Sequence, residues 1–183
     1  MSTKNSYTAK VRDLTLSALI SALSIVFMYI GSVIEVLDLT AAMLASVLCV
    51  FIVIEVGGAW PYLTYATVSV ISVLMLPNKF VAVVYIVFAG NYPMIKRLCE
   101  KLPTVVQWLL KLLVFNFEFT LIYFATKYIF AIPDIGYSLS VLTYLICNAI
   151  FILYDIAITR IISFYLLRLR KRLGIRSTDS KRR

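Results

Sequence analysis

What most constrains this chain is the length of its apolar runs. They recur along the whole sequence, and the charges fall mostly between them. The hydrocarbon layer of a bilayer is about 30 Å thick, so a crossing helix needs roughly 20 mainly apolar residues. The chain offers about six such runs and little else, with hydrophobic residues making up 62% of it. In lipid every backbone N–H and C=O must be satisfied within the spanning structure, so runs of this kind form helices. The expected fold is therefore an all-α integral membrane bundle of about six transmembrane helices. Function then falls to side chains facing the bundle interior, or to short loops.

The breaks place the spans. Residues 1–12 are polar and basic and read as a tail. The first span is expected over 13–34, followed by a loop with Glu35 and Asp38, and the second over 39–56. Gly57, Gly58 and Pro61 mark a turn, with Trp60 at interface level. The third span is expected over 61–76, Pro77-Asn78-Lys79 is a turn, and the fourth covers 80–95, loosened by Gly90 and Pro93. A polar loop at 96–104, a fifth span over 106–130, a turn at Pro133-Asp134-Ile135-Gly136 and a sixth span over 137–167 follow, with a basic tail at 168–183. The transmembrane domain is thus 13–167.

Charge orients the bundle. Fourteen of the 18 Lys and Arg cluster at the N-terminus, in the 96–104 loop and at the C-terminus. Basic residues accumulate on the cytoplasmic side of membrane proteins, so both termini are expected there, in a cell membrane. An even number of spans gives the same answer. The Gly57–Pro61 turn, which should then also be cytoplasmic, carries no basic residue of its own. Attraction to anionic headgroups accounts for the basic tail without nucleic-acid binding.

Small residues mark candidate helix contacts. Ser17, Ala18, Ser21 and Ala22 form two overlapping small-xxx-small pairs in the first span, and Ala41, Ala42, Ala45, Ser46 and Cys49 form a similar face in the second. Small faces allow the close backbone approach that drives helix association in lipid. Spacing alone leaves open whether the first face packs within the bundle or docks another protein. In the third span, Tyr62, Tyr65, Ser69 and Ser72 share a face that is expected to turn from lipid.

Ionisable side chains inside spans are costly unless paired or hydrated. The fifth span carries Lys111, Glu118 and Lys127, and the sixth carries Asn148, Asp155 and Arg160. Glu118 lies near mid-membrane. It is read either as a ligand or cavity group or as a structural partner of Lys111 or another helix. Asp155 and Arg160 are read as a structural ion pair, and Glu55 as reaching water at the inner end of its span. The expected outer half gathers Asp38, Asn78, Lys79, Tyr85, Tyr123, Lys127, Tyr144 and Asn148, with Glu35 in the loop above and Glu118 beneath. Aromatic rings with a few placed polar groups suit a small ligand, although interface belts also recruit tyrosine.

The absences narrow the function. There is no histidine, which removes Ser-His catalysis and His-metal ligation. Cys49, Cys99 and Cys147 have neither ligand spacing nor a disulfide framework. No phosphate-binding or dinucleotide motif occurs. No catalytic residue, cofactor or metal is expected, and ATP-driven work would require a partner.

In plan and in its first quarter the chain resembles the substrate-binding S component of energy-coupling factor (ECF) vitamin transporters. The likeness is carried by the six-helix plan, by the opening Val11-Arg12-Asp13-Leu14 through Ala18 and Ala22 to Leu23, and by Leu37-Asp38-Leu39-Thr40. It departs at Ala41-Ala42-Met43, where the family often has Ile-Pro. The resemblance implies capture of a vitamin or similar micronutrient under the first outer loop. It also implies docking through the first helix, at Ala18 and Ala22, onto a transmembrane coupling protein driven by two cytoplasmic ATPases. The alternative is a non-transporting membrane scaffold, such as a rod-shape-determining type. A small carrier using Glu118 for ion coupling is a further possibility.

Overall fold

A computed structural model describes residues 2–129 and 140–169. All regular structure among them is helical. The elements are α1 (Ser2–Val33), α2 (Asp38–Glu55), α3 (Trp60–Met75), α4 (Lys79–Val84), α5 (Tyr92–Cys99), α6 (Thr104–Phe124) and α7 (Val141–Phe164). Wider π turns follow α4 at Tyr85–Ala89, α6 at Ala125–Ile129 and α7 at Tyr165–Leu169. With α4 and α5 taken as one interrupted rod, there are six rods. Among the described residues four helices are long and apolar enough to cross a membrane: Lys10–Val33, Asp38–Glu55, Thr104–Ile129 and Val141–Arg168. Trp60–Met75 is apolar but shorter.

The polarity of the bundle is inverted relative to a soluble protein. Lys96, Lys111, Glu118 and Asp155 are buried, while Val105, Leu113, Phe117 and Leu153 are exposed. Monomeric soluble proteins rarely expose contiguous apolar surface on this scale. The long apolar helices and this outer surface point to a membrane location.

α1 starts at Ser2, so the expected tail at 2–12 continues the helix instead. That stretch holds no Gly or Pro to stop it. Ser17, Ser21, Ser24 and Met28 form its buried line against α2 and α3. The serine hydroxyls turn back to their own helix where they can, as in Ser21 Oγ to the Ser17 carbonyl at 2.8 Å, which satisfies the donor without water. Opposite lies the small face of α2, with Ala41, Ala42, Ala45, Ser46 and Cys49 all buried. The backbones meet closely at Gly31, where a Cβ would stand 2.2 Å from Ala41 Cβ.

The α2–α3 turn needs left-handed backbone at two consecutive positions, filled by Gly57 (φ 63°) and Gly58 (φ 61°). Along α3 the buried line is Pro61, Thr64, Val68 and Ser72. Tyr65 and Ser69 flank it, half-buried. Tyr62 departs from the expected inward face and is 55% exposed, because it sits at the bundle end beside Arg97 and Lys101.

The rod from α4 to α5 is buried on nearly every side and forms the centre of the bundle. Tyr85 and Phe88 lie on its wide turn. Gly90 leaves room for two rings, since a Cβ there would come within 2.7 Å of Tyr65 and 2.8 Å of Tyr85. Tyr65 Oη donates to the Ile86 carbonyl at 2.8 Å, filling an acceptor within the wide turn. Phe88 also joins an aromatic cluster with Tyr92, Phe115, Phe151 and Tyr154, in which Phe115 and Phe151 stack at 4.4 Å.

Candidate functional site

The sequence-predicted site residues fall into separate groups. At the α2 and α4 starts, Asn78 Nδ2 donates to Asp38 Oδ2 at 2.6 Å, and Asn78 Oδ1 accepts the Phe80 backbone N–H at 3.0 Å. Lys79 Nζ donates to the Val73 and Leu76 carbonyls at 2.8 and 2.7 Å, closing the C-terminus of α3. These groups hold a turn. Glu35 opens the single 3₁₀ turn Glu35–Leu37 beside them.

A second group pins α6 to α7. Asn116 and Asn148 exchange amide hydrogen bonds of 3.1 and 2.9 Å, and the Thr120 and Tyr144 hydroxyls meet at 2.7 Å. Asn116 and Thr120 went unremarked in the sequence, although Asn116 lies two residues from Glu118. A third group is at the far end of α6, where exposed Lys127 lies 5.7 Å from the Tyr123 ring and 5.8 Å from that of Tyr128. Tyr85 lies apart from all three, fully buried, with no hydrogen-bond partner for its hydroxyl among the described residues. Among the described residues this set lies in separate groups rather than around one cleft. Its polar atoms are largely spent on holding helices and turns.

The charged core is built differently from either expected pairing. Asp155 is the common acceptor of Lys96, Lys111 and Tyr92. Lys111 Nζ reaches its two carboxylate oxygens at 3.1 and 2.9 Å. Lys96 also pairs with Glu100 at 3.0 Å and donates to Thr159 Oγ1 at 2.8 Å. Lys96 is thus no loop cation; it is buried on α5. Arg160, one helical step out of phase with Asp155, is exposed. Lys111 does not pair with Glu118, since seven residues separate them by about 10 Å along the axis.

Glu118 has the Asn91 amide beside it but no charged partner among the described residues. It is 5% exposed, its Oε2 has no hydrogen-bond partner, and no ion pair among the described residues includes it. It forms part of the wall of a cleft of about 410 Å³ between α6 and the central rod. Ile86, Val114, Phe117 and Leu121 supply apolar wall, and Asn91 is the other polar side chain there.

The small face of α1 divides in two. Ser17 and Ser21 turn into the bundle, whereas Ala18 and Ala22 are exposed. Adjacent helical residues differ by about 100° in direction, so the overlapping pairs address different neighbours.

One end of the bundle gathers the charges of several elements. Arg12 on α1 lies 4.0 Å from Glu55 at the end of α2, and Tyr165 beyond α7 donates to Glu55 at 2.8 Å. Arg97 reaches the Gly57 turn, with its Nη1 3.8 Å from where a Gly57 Cβ would lie. Arg97 and Lys101 border a cleft of about 250 Å³ with Gly58, Pro61 and Tyr62. The turn without a basic residue in sequence has two beside it in space. The Pro133–Gly136 turn and the tail from residue 170 lie outside the described residues.

No protein-family model matches the chain, and neither the curated proteins nor the solved structures include a match to it.

Proposed function

We propose that the chain is the membrane-embedded substrate-binding subunit of an ECF-type transporter. In this reading it lies in the cell membrane with both termini cytoplasmic. It captures a vitamin-like micronutrient and passes it inward when a transmembrane coupling protein and two ATPases engage it. The observation that carries the reading is the outward aspect of Ala18 and Ala22. They sit on the longest helix, bordered by Val11, Val26 and Tyr29, all exposed. Small side chains facing lipid leave a groove that a second helix fills closely. The convergence of Arg12, Arg97 and Lys101 at one end supports the orientation. The ligand site moves from the outer polar set to the Glu118 cleft, because Asp38, Asn78, Lys79, Tyr144 and Asn148 are already engaged with one another, with Thr120 and Asn116, or with backbone.

That mutual satisfaction also favours a second reading, a scaffold that binds no solute. Mass spectrometry of the gently purified protein separates the two: a reproducible small molecule supports transport, and an empty protein supports the scaffold. The docking surface is tested with Ala18→Trp and Ala22→Trp. Both positions are exposed, so the isolated chain should keep its stability within about 0.5 kcal/mol. Co-purification with the coupling subunits and uptake should be lost. If folding is lost along with docking, the face packs internally; if docking survives, the reading fails.

A further inference from the structure

The Glu118 cleft specifies a ligand charge and a route of entry. A carboxylate in a membrane-spanning segment is costly without a counter-charge or water. Among the described residues no cation pairs with Glu118: Lys111 is committed to Asp155, and Lys127 lies nine residues on, about 13 Å along the helix. Asn91, the remaining polar neighbour, is an uncharged amide. The cleft therefore presents one uncompensated acid and one hydrogen-bonding amide on otherwise apolar walls. Its volume, about 410 Å³, is in the range of small-molecule sites. Its rim is also informative. Phe117 is 66% exposed and Leu121 44% exposed, on the outer side of a span-length helix. A mouth bordered by such side chains opens toward acyl chains.

We propose that this cleft binds an organic amine, a single positive charge on an apolar body, which enters sideways from the lipid layer and sets its nitrogen at Glu118. This rests on the ligand-binding reading above and adds the ligand's charge and path. The ammonium supplies the counter-charge that the described residues do not, and the apolar body replaces lipid against Val114 and Phe117. An anion would meet Glu118 as a like charge. A neutral analogue would gain the walls alone.

The test uses the full chain in nanodiscs of zwitterionic lipid. Dicyclohexylcarbodiimide, a lipid-soluble carboxyl reagent, is expected to modify Glu118, read by peptide mass spectrometry. N,N-dimethylphenethylamine, a tertiary amine that is not itself acylated, should slow that modification about tenfold at about ten times its Kd, where one charge-assisted hydrogen bond separates it from a neutral analogue by about tenfold or more in affinity. Phenethyl alcohol at equal concentration should slow it less than about twofold, having no charge to offer. The amine should also raise the melting temperature of the wild type and not that of Glu118→Gln. No modification of Glu118, equal protection by the alcohol, or a retained melting shift in Glu118→Gln overturns the proposal. Docking through Ala18 and Ala22 is independent of the amine, so equal protection with docking intact overturns the ligand class alone.

Discussion

Asp155→Asn is the sharpest probe of the bundle. The carboxylate accepts from Lys111 through both oxygens and from Lys96 and Tyr92 through one. The amide keeps one acceptor and turns two N–H donors toward the ammonium groups. Lys96 then still has Glu100 at 3.0 Å, but Lys111 loses the one carboxylate it pairs with among the described residues and keeps the Trp108 ring, 5.3 Å from its nitrogen. Removing one partner of a buried ion pair costs about 3–5 kcal/mol, because a desolvated charge remains. A cation–π contact offsets roughly 0.5–2 kcal/mol of this. The net loss is therefore about 3 kcal/mol, or two orders of magnitude in the folding equilibrium. Lys111→Met should cost less than about 1.5 kcal/mol, since it removes the charge itself and leaves Lys96 paired with Asp155. Asp155→Asn combined with Lys111→Met should recover most of the single-variant loss. The assay is reversible unfolding of the purified protein in mixed micelles, read as a double-mutant cycle. A loss below about 0.5 kcal/mol for Asp155→Asn, or no recovery in the pair, would show that these charges are hydrated and refute the reasoning.

Other perturbations are simpler. Gly31→Ala should lower stability by about 1–3 kcal/mol, because its Cβ meets Ala41 Cβ at 2.2 Å, and Ala41→Gly should restore part of the loss in the same unfolding assay. Gly90→Ala should be similarly harmful, since two tyrosine rings block the new methyl, while Tyr65→Phe should cost only about 0.5–1.5 kcal/mol for its hydrogen bond to Ile86. Asn148→Leu should cost about 0.6–1.7 kcal/mol, the range for interhelical hydrogen bonds in lipid, and Asn116→Leu added to it should cost little more. Cysteines placed at Gly58 and at Arg97 should react with an impermeant thiol reagent from the same side of sealed vesicles, and labelling from opposite sides would contradict their place on one cleft.

The rods were legible because their limits are local. Gly57-Gly58 and Pro77 end α2 and α3 within a residue or two of where the apolar runs stop. Pairing between rods was not legible. Lys96 reads as a loop residue because Arg97, Glu100, Lys101 and Pro103 surround it in sequence. Its burial depends on Asp155, 59 positions away, and one chain carries no record of that register. The division of the α1 small face is of the same kind. Spacing defines both pairs, but only the seating of α2 and α3 selects Ser17 and Ser21 as the inner one. Glu118 was legible as an anomaly from its position alone, whereas its lack of a charged partner among the described residues follows from Lys111 turning to another helix.

The wide turn at Tyr85–Ala89 has a consequence for how this sequence tolerates change. A π turn behaves as a one-residue insertion within an α-helix. It shifts everything after it by about 100° relative to an uninterrupted helix. Asn91, Tyr92 and Lys96 all lie beyond it. A single-residue deletion between Tyr85 and Ala89 would leave composition, hydropathy and span length almost unchanged, yet swing Lys96 off Asp155 and Asn91 away from Glu118. Loops usually absorb insertions and deletions; in this chain a length change inside a buried rod would rewire both its charged core and its candidate site.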